Sequence, residues 1–116
     1  VKRNPHVAED MLAYLGDPGH WIQGRYEMRE QRCLLGEHGA AAYSNANHWA
    51  GRTRRPGNSR LLRQLASIIQ EQYPERLECL RGIGEVIAGF NDHPETRHAE
   101  VVAVLEKLVV REQEDA

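Results

Sequence analysis

Aromatic side chains are scarce in this sequence. One Phe, two Trp and four Tyr in 116 residues oblige aliphatic side chains to supply most of any core. Cysteine is scarcer still: Cys33 and Cys79 are too few for a disulfide framework, and both are expected to be free thiols in a reducing cytoplasm. Charge of one sign is also lacking. Fifteen basic against 17 acidic residues leave a formal −2, which gives no global field for a polyanion or an anionic membrane and leaves recognition to local features. No apolar run approaches the roughly 20 residues that a bilayer-spanning helix needs. The opening VKRNPH lacks the apolar stretch of a signal peptide, so a cytoplasmic location without a membrane partner is the expectation. A Gly-x-Ser-x-Gly elbow, a phosphate loop and a dinucleotide glycine fingerprint are missing. Their absence removes the usual signatures of hydrolases and nucleotide-binding enzymes, and no cofactor is expected.

What is present reads as helix. The length suits one domain over 1–116, and an apolar fraction of 41% with 28% charged residues is that of a soluble globular chain. Asn4 and Pro5 suit the start of a helix over Pro5 to Leu15, with Val7, Met11, Leu12 and Leu15 on one face, and Gly16-Asp17-Pro18-Gly19 ends it. His20 to Tyr26 reads as an extended segment that packs Trp21 inward and can pair with residues near Gln31 to Leu34. Cys33 to Tyr43 is a small-residue helix whose Gly36, Gly39 and alanines permit close approach by a neighbour. Residues 44–57 lack helical periodicity and are expected to be a flexible loop.

Asn58 or Ser59 caps the next helix, which runs to about Gln72 with Leu61, Leu62, Leu65, Ile68 and Ile69 at helical spacing. The pattern predicts another over Glu75 to Phe90, where Gly82 and Gly84 imply a kink or a close helix contact. In FNDHPETRHAEV, Asp92 with Glu95 three positions later makes a capping box, or Thr96 caps one turn further on. The last helix then spans about Thr96 to Arg111 on a stripe of Val101, Val104, Leu105, Leu108 and Val109, and residues 112–116 fray. The expected fold is mainly α, a compact bundle of four or five helices with a short extended segment or small β-ribbon near residues 20–34.

Each chemical motif has a structural alternative. Capping explains Asn91, Asp92, Pro94 and Thr96 without invoking function and is the favoured reading; the alternative is that Asp92 and His98 form a carboxylate–imidazole pair. Cys33 can be activated at a helix start with His38 as its base, or it can be a buried small thiol. Cys33 and His38 are five apart, as are His93 and His98; neither matches the i, i+4 pair that presents two ligands on one helical face, and His20 and His48 sit in loops. No metal site is expected. Trp49, Arg52, Arg54 and Arg55, backed by Arg60 and Arg63, can hold phosphates and stack a base if the tryptophan is exposed; a solvated arginine loop is the plainer reading.

Trp21-Ile22-Gln23-Gly24, Cys33-Leu34-Leu35-Gly36 and Phe90-Asn91-Asp92-His93-Pro94 with Thr96, His98, Ala99, Glu100 and Val101 resemble a family of small bacterial, especially actinobacterial, and phage proteins. In that family a Trp-x-x-Gly segment, a Cys-x-x-Gly-Ala segment and a Trp-Asn-Asp-x-Pro turn leading into a helix recur in this order. Phe90 replaces the usual Trp, and Glu37-His38 replaces Ala-Leu. The family has no assigned activity, so the resemblance implies an order of elements and a bacterial or phage origin. Residues and resemblance together place Trp21, Gln23, Cys33, Asn91 and Asp92 in one cluster, with Thr96 and His98 beside it. The leading expectation is a non-enzymatic module that binds another protein through a helical face or the 44–57 loop. A metal-dependent or Cys/His hydrolytic enzyme is the alternative, and a nucleic-acid-binding regulator the second alternative.

Overall fold

In a computed structural model, residues 4–51 and 55–115 are described. They form five helices, α1 Val7–Leu15, α2 Leu34–Tyr43, α3 Arg60–Gln72, α4 Ile83–Asp92 and α5 His98–Glu114, and a two-stranded antiparallel ribbon of β1 Glu27–Met28 and β2 Gln31–Arg32. The fold is mainly α. Its central element is α3, where the Ser59 side chain accepts the Leu62 N–H at 3.2 Å as an N-cap. Leu62, Leu65, Ala66, Ile68 and Ile69 then share the buried face. Against that face lie α4 and α5, while α1 packs on α2 and α5. One core results, filled by Met11, Leu15, Leu34, Ile87, Phe90, Leu105 and Leu108. Phe90 is its only phenylalanine, and Tyr73 stacks on it at 5.1 Å between ring centroids. No helix among the described residues is long and apolar enough to cross a membrane.

Local details depart from the sequence pattern where long-range partners intervene. The first helix begins at Val7, two residues later than Pro5, and Asn4 does not cap it: its side-chain oxygen accepts the His6 N–H, and its amide group reaches Asp10 and the Ala41 carbonyl. The extended segment pairs through a bridge between Trp21 and Arg32, while the ribbon itself lies farther along the chain. The loop after α2 is ordered in part as 3-10 turns over His48–Ala50 and Pro56–Asn58.

The helix expected from Glu75 begins only at Ile83. Pro74–Arg76 is a 3-10 turn, Glu78 has a positive φ of 45°, and Gly82 is extended as the N-cap, so the periodicity of Leu77 and Leu80 is met by a turn instead. The last helix starts at His98 rather than Thr96. Asp92 caps nothing there, because its Oδ1 accepts the Gly24 N–H at 2.8 Å, and Thr96 instead accepts from the Arg76 guanidinium. Glu100 does the helix-start work, accepting the Arg97 N–H at 2.8 Å while binding Arg76 with both oxygens. Residues 112–114 do not fray off: α5 continues to Glu114, and both Glu112 oxygens accept the Ala8 N–H at 3.0 Å across the start of α1.

The ribbon meets α2 at Gly36, where a Cβ would stand 2.0 Å from the Tyr26 carbonyl oxygen. That carbonyl also accepts the Cys33 N–H, so the backbone cannot swing aside without losing this bond. Gly36→Ala should therefore cost at least the roughly 1–3 kcal/mol typical of overpacking. Gly51→Ala, with nothing among the described residues within 4 Å of its Cβ, should stay within about 0.5 kcal/mol. Urea unfolding followed by circular dichroism separates the two.

Candidate functional site

Asn91 is 1% exposed at the end of α4, and its amide is fully engaged. The side-chain oxygen accepts the Trp21 indole N–H at 2.8 Å and the Leu34 backbone N–H at 3.1 Å. The amide nitrogen donates to the Ile22 carbonyl at 3.1 Å and to Asp92 at 2.9 Å. Gln23 adds bonds to the carbonyls of Asn91 and His93. Gly24 takes a positive φ of 81°, a conformation glycine adopts without a Cβ penalty, and presents its N–H to Asp92. Trp21, Gln23, Asn91 and Asp92 thus meet directly, with Cys33 on the wall of an adjoining cavity of about 120 Å³. That volume is well below the few hundred Å³ of ordinary ligand sites.

Two members of the proposed cluster belong elsewhere. His98 Nε2 bonds the Leu15 carbonyl at 2.6 Å, and its ring contacts Trp21 at 6.1 Å between centroids, so the Asp92–His98 pair does not form. Thr96 is buried against Arg76, whose side chain also lies over the Tyr73 ring.

Nor does Cys33 pair with His38. Its sulfur is the N-cap of α2, accepting the Gly36 N–H at 3.3 Å. Of the two readings of this thiol, the buried one fits: burial pushes its pKa up, outweighing the Gly36 and Leu35 amides at the helix start. Cys79 is exposed and free. Among the described residues no group of three or more His, Cys, Asp or Glu side chains is gathered for a metal.

A second polar centre lies on α2. Glu37 is buried and pairs with Arg32 at 2.8 Å; burial raises its carboxyl pKa while Arg32 draws it back. His38, 2% exposed, accepts the Trp49 indole N–H on Nδ1 at 3.0 Å. An indole nitrogen only donates, so Nδ1 carries no proton, and the neutral ring must hold its proton on Nε2. Burial, with His48 adding to it, depresses the His38 pKa to about 4, so the ring is neutral at pH 7. Tyr43 and His48 stack at 3.8 Å beside Trp49, whose ring meets His48 edge-on.

Trp49 itself is buried at 7% exposure, so the exposed ring that base stacking requires is not present. Of its arginine neighbours, Arg55 is exposed, and Arg52 and Arg54 lie outside the described residues.

His38 and Tyr43 line a surface cavity of about 670 Å³, together with Val7, Leu61, Arg63 and Glu112 among others. Its walls come from the segment before α1, the end of α2, the first turns of α3 and the end of α5. Sequence reading missed this assembly. The one local signal was the polar Glu37-His38 pair inside a run of small and apolar residues.

Asn91→Ala should leave Trp21 Nε1–H, the Leu34 N–H and the Ile22 carbonyl without their partner. At about 1–3 kcal/mol for each buried unpaired group, a loss of about 2 kcal/mol or more is expected, with a red shift of Trp21 fluorescence in the native state. An unchanged melting temperature would show that the amide is replaceable.

For His38 the sign of the pH effect follows from a folded-state pKa below the unfolded one. Its contribution is intact above about pH 6.5 and is lost as pH falls toward 4, by up to about 3 kcal/mol, because the unfolded chain takes up the proton first. Urea midpoints at pH 7 and 4.5, for the native protein and His38→Gln, should show a steeper acid loss in the native protein.

No curated protein and no solved structure matches the chain. A family match does exist and covers residues 2–110, nearly all of the sequence. This protein belongs to a family of unknown function, DUF6197.

Proposed function

We propose that this protein is a non-catalytic binding module, of bacterial or phage origin and working in the cytoplasm, that holds a partner protein at the cavity between α2 and α3. The observation that carries this reading is the cavity's make-up. At about 670 Å³ it falls in the range of roughly 300–1,000 Å³ for ligand sites. Its lining combines apolar Val7, Ala42 and Leu61 with polar groups. At its edge Tyr43 is 51% exposed although its ring is braced by stacking on His48. A rigid, half-exposed tyrosine offers a partner a large contact area with little side-chain entropy left to lose. The 44–57 loop leaves α2 directly after Tyr43, so a partner seated here can touch it as well.

The hydrolytic alternative draws no comparable support, since Cys33, His38, Asp92 and His98 are each bonded to different structural partners. Base stacking by Trp49 would require the ring to leave its buried site beside His38.

Tyr43→Ala removes an exposed ring and should leave the melting temperature within a few degrees. Affinity capture from the lysate of a host cell should then retain a defined protein on the native domain and on Val110→Ser, a control at an exposed residue on α5. Tyr43→Ala should lose it. Equal recovery on all three would place recognition elsewhere.

A further inference from the structure

From the donor groups around this cavity we infer that it selects a carboxylate attached to an apolar group, as presented by a peptide C-terminus or a small organic acid. The inference rests on the cavity being the recognition site. Its first support is His38. The Trp49 indole fixes the ring proton on Nε2, and among the described residues no acceptor takes that proton, although the ring is 98% buried and lines the cavity. Nε2 is not sealed from solvent, so this N–H meets water in the cavity, and a ligand oxygen can take that water's place.

Second is the start of α3, a helix of 13 residues. Ser59 satisfies the amides of Leu62 and Arg63, which leaves those of Arg60 and Leu61 without an intrahelical acceptor at the positive end of the dipole. Both residues line the same cavity as His38. These two features arise from different elements, and both call for an acceptor.

Charge at the rim decides the sign. Arg60 and Arg63 face two carboxylates there, but the carboxylates are already engaged: Glu112 accepts the Ala8 N–H with both oxygens, and Asp115 accepts from Gln64 and pairs with Arg60 at 3.4 Å. Arg63 donates only to the Gly57 carbonyl, so its charge has no carboxylate partner among the described residues. A ligand carboxylate would therefore meet the Arg63 charge and the helix start, opposed by the charge of Glu112 in the same lining, while Val7, Ala42 and Leu61 receive the apolar part.

The test is a titration of the ¹⁵N-labelled protein at pH 7 followed by NMR, using 3-phenylpropionate, its neutral carboxamide, and acetyl-Gly-Ala-Phe with a free or an amidated C-terminus. The expected result is movement of the Arg60 and Leu61 amide signals and the Trp49 indole signal, with each acid binding at least fivefold tighter than its amide. Arg63→Ala, an exposed change that leaves the fold intact, should weaken the acids at least threefold and leave the amides unaffected. His38→Phe, if it folds, should do the same. A peptide that binds more tightly than 3-phenylpropionate assigns the site to protein C-termini, and the reverse order assigns it to small acids. Acid and amide binding equally would overturn the carboxylate selection while leaving the cavity as a binding site. No movement with any probe would overturn it too, and the Tyr43→Ala capture then decides separately whether a partner sits there.

Discussion

The buried amide of Asn91 is the junction on which the rest of the molecule depends. Its oxygen and nitrogen together tie the end of α4 to Trp21, to the Ile22 carbonyl and to the first amide of α2. A leucine there would fill the space and leave these backbone groups unpaired in a low-dielectric interior. An aspartate would lose the donor to Ile22 and bury a charge. Because Leu34 is held by this contact, the start of α2 is fixed relative to α4, and Gly36 is brought against the Tyr26 carbonyl. His38 follows on the next turn, and its place beside Trp49 is set by the same anchoring.

Polar pairs, more than aromatic bulk, position the connecting segments. Arg32 and Glu37 fasten the ribbon to α2, and Arg32 also lies over the Tyr14 ring of α1. Arg76 fastens the turn after α3 to the start of α5 through Thr96 and Glu100, although its Nε is buried without a partner. Such half-buried pairs gain strength from a reduced dielectric but first have to offset desolvation, so they specify arrangement more than they add stability. Few aromatics are available, and two of the seven, Tyr43 and Trp49, pack with His38 and His48 in one cluster, from which Tyr43 and His38 line the cavity. That concentration links the structural economy of the chain to its proposed binding surface.

Elements with strong local periodicity were legible in the sequence. The Ser59 cap and the spacing of Leu62, Leu65 and Ile69 define α3 wherever it packs, and the valine–leucine stripe of α5 does likewise. The start of α4 was not legible, because Leu77 and Leu80 keep a helical spacing while Glu78 and Gly82 interrupt the backbone. Asp92 failed as a cap for a related reason. Its side chain can serve a nearby helix or the distant Gly24 amide, and local sequence does not state which donor will arrive. Trp21, Gln23 and Asn91 were recognisable as candidates, whereas Tyr43, Leu61 and Arg63 gave no sign that they share a cavity.

By itself, then, the sequence determined the mainly α character, the two best-formed helices and the aliphatic nature of the core, since these follow from residue spacing and composition. Tertiary structure decided which amide or carbonyl each polar side chain serves, which nitrogen of His38 keeps its proton and where a cavity opens. Those outcomes depend on groups tens of residues apart competing for the same bonds, and only the packed chain settles that competition.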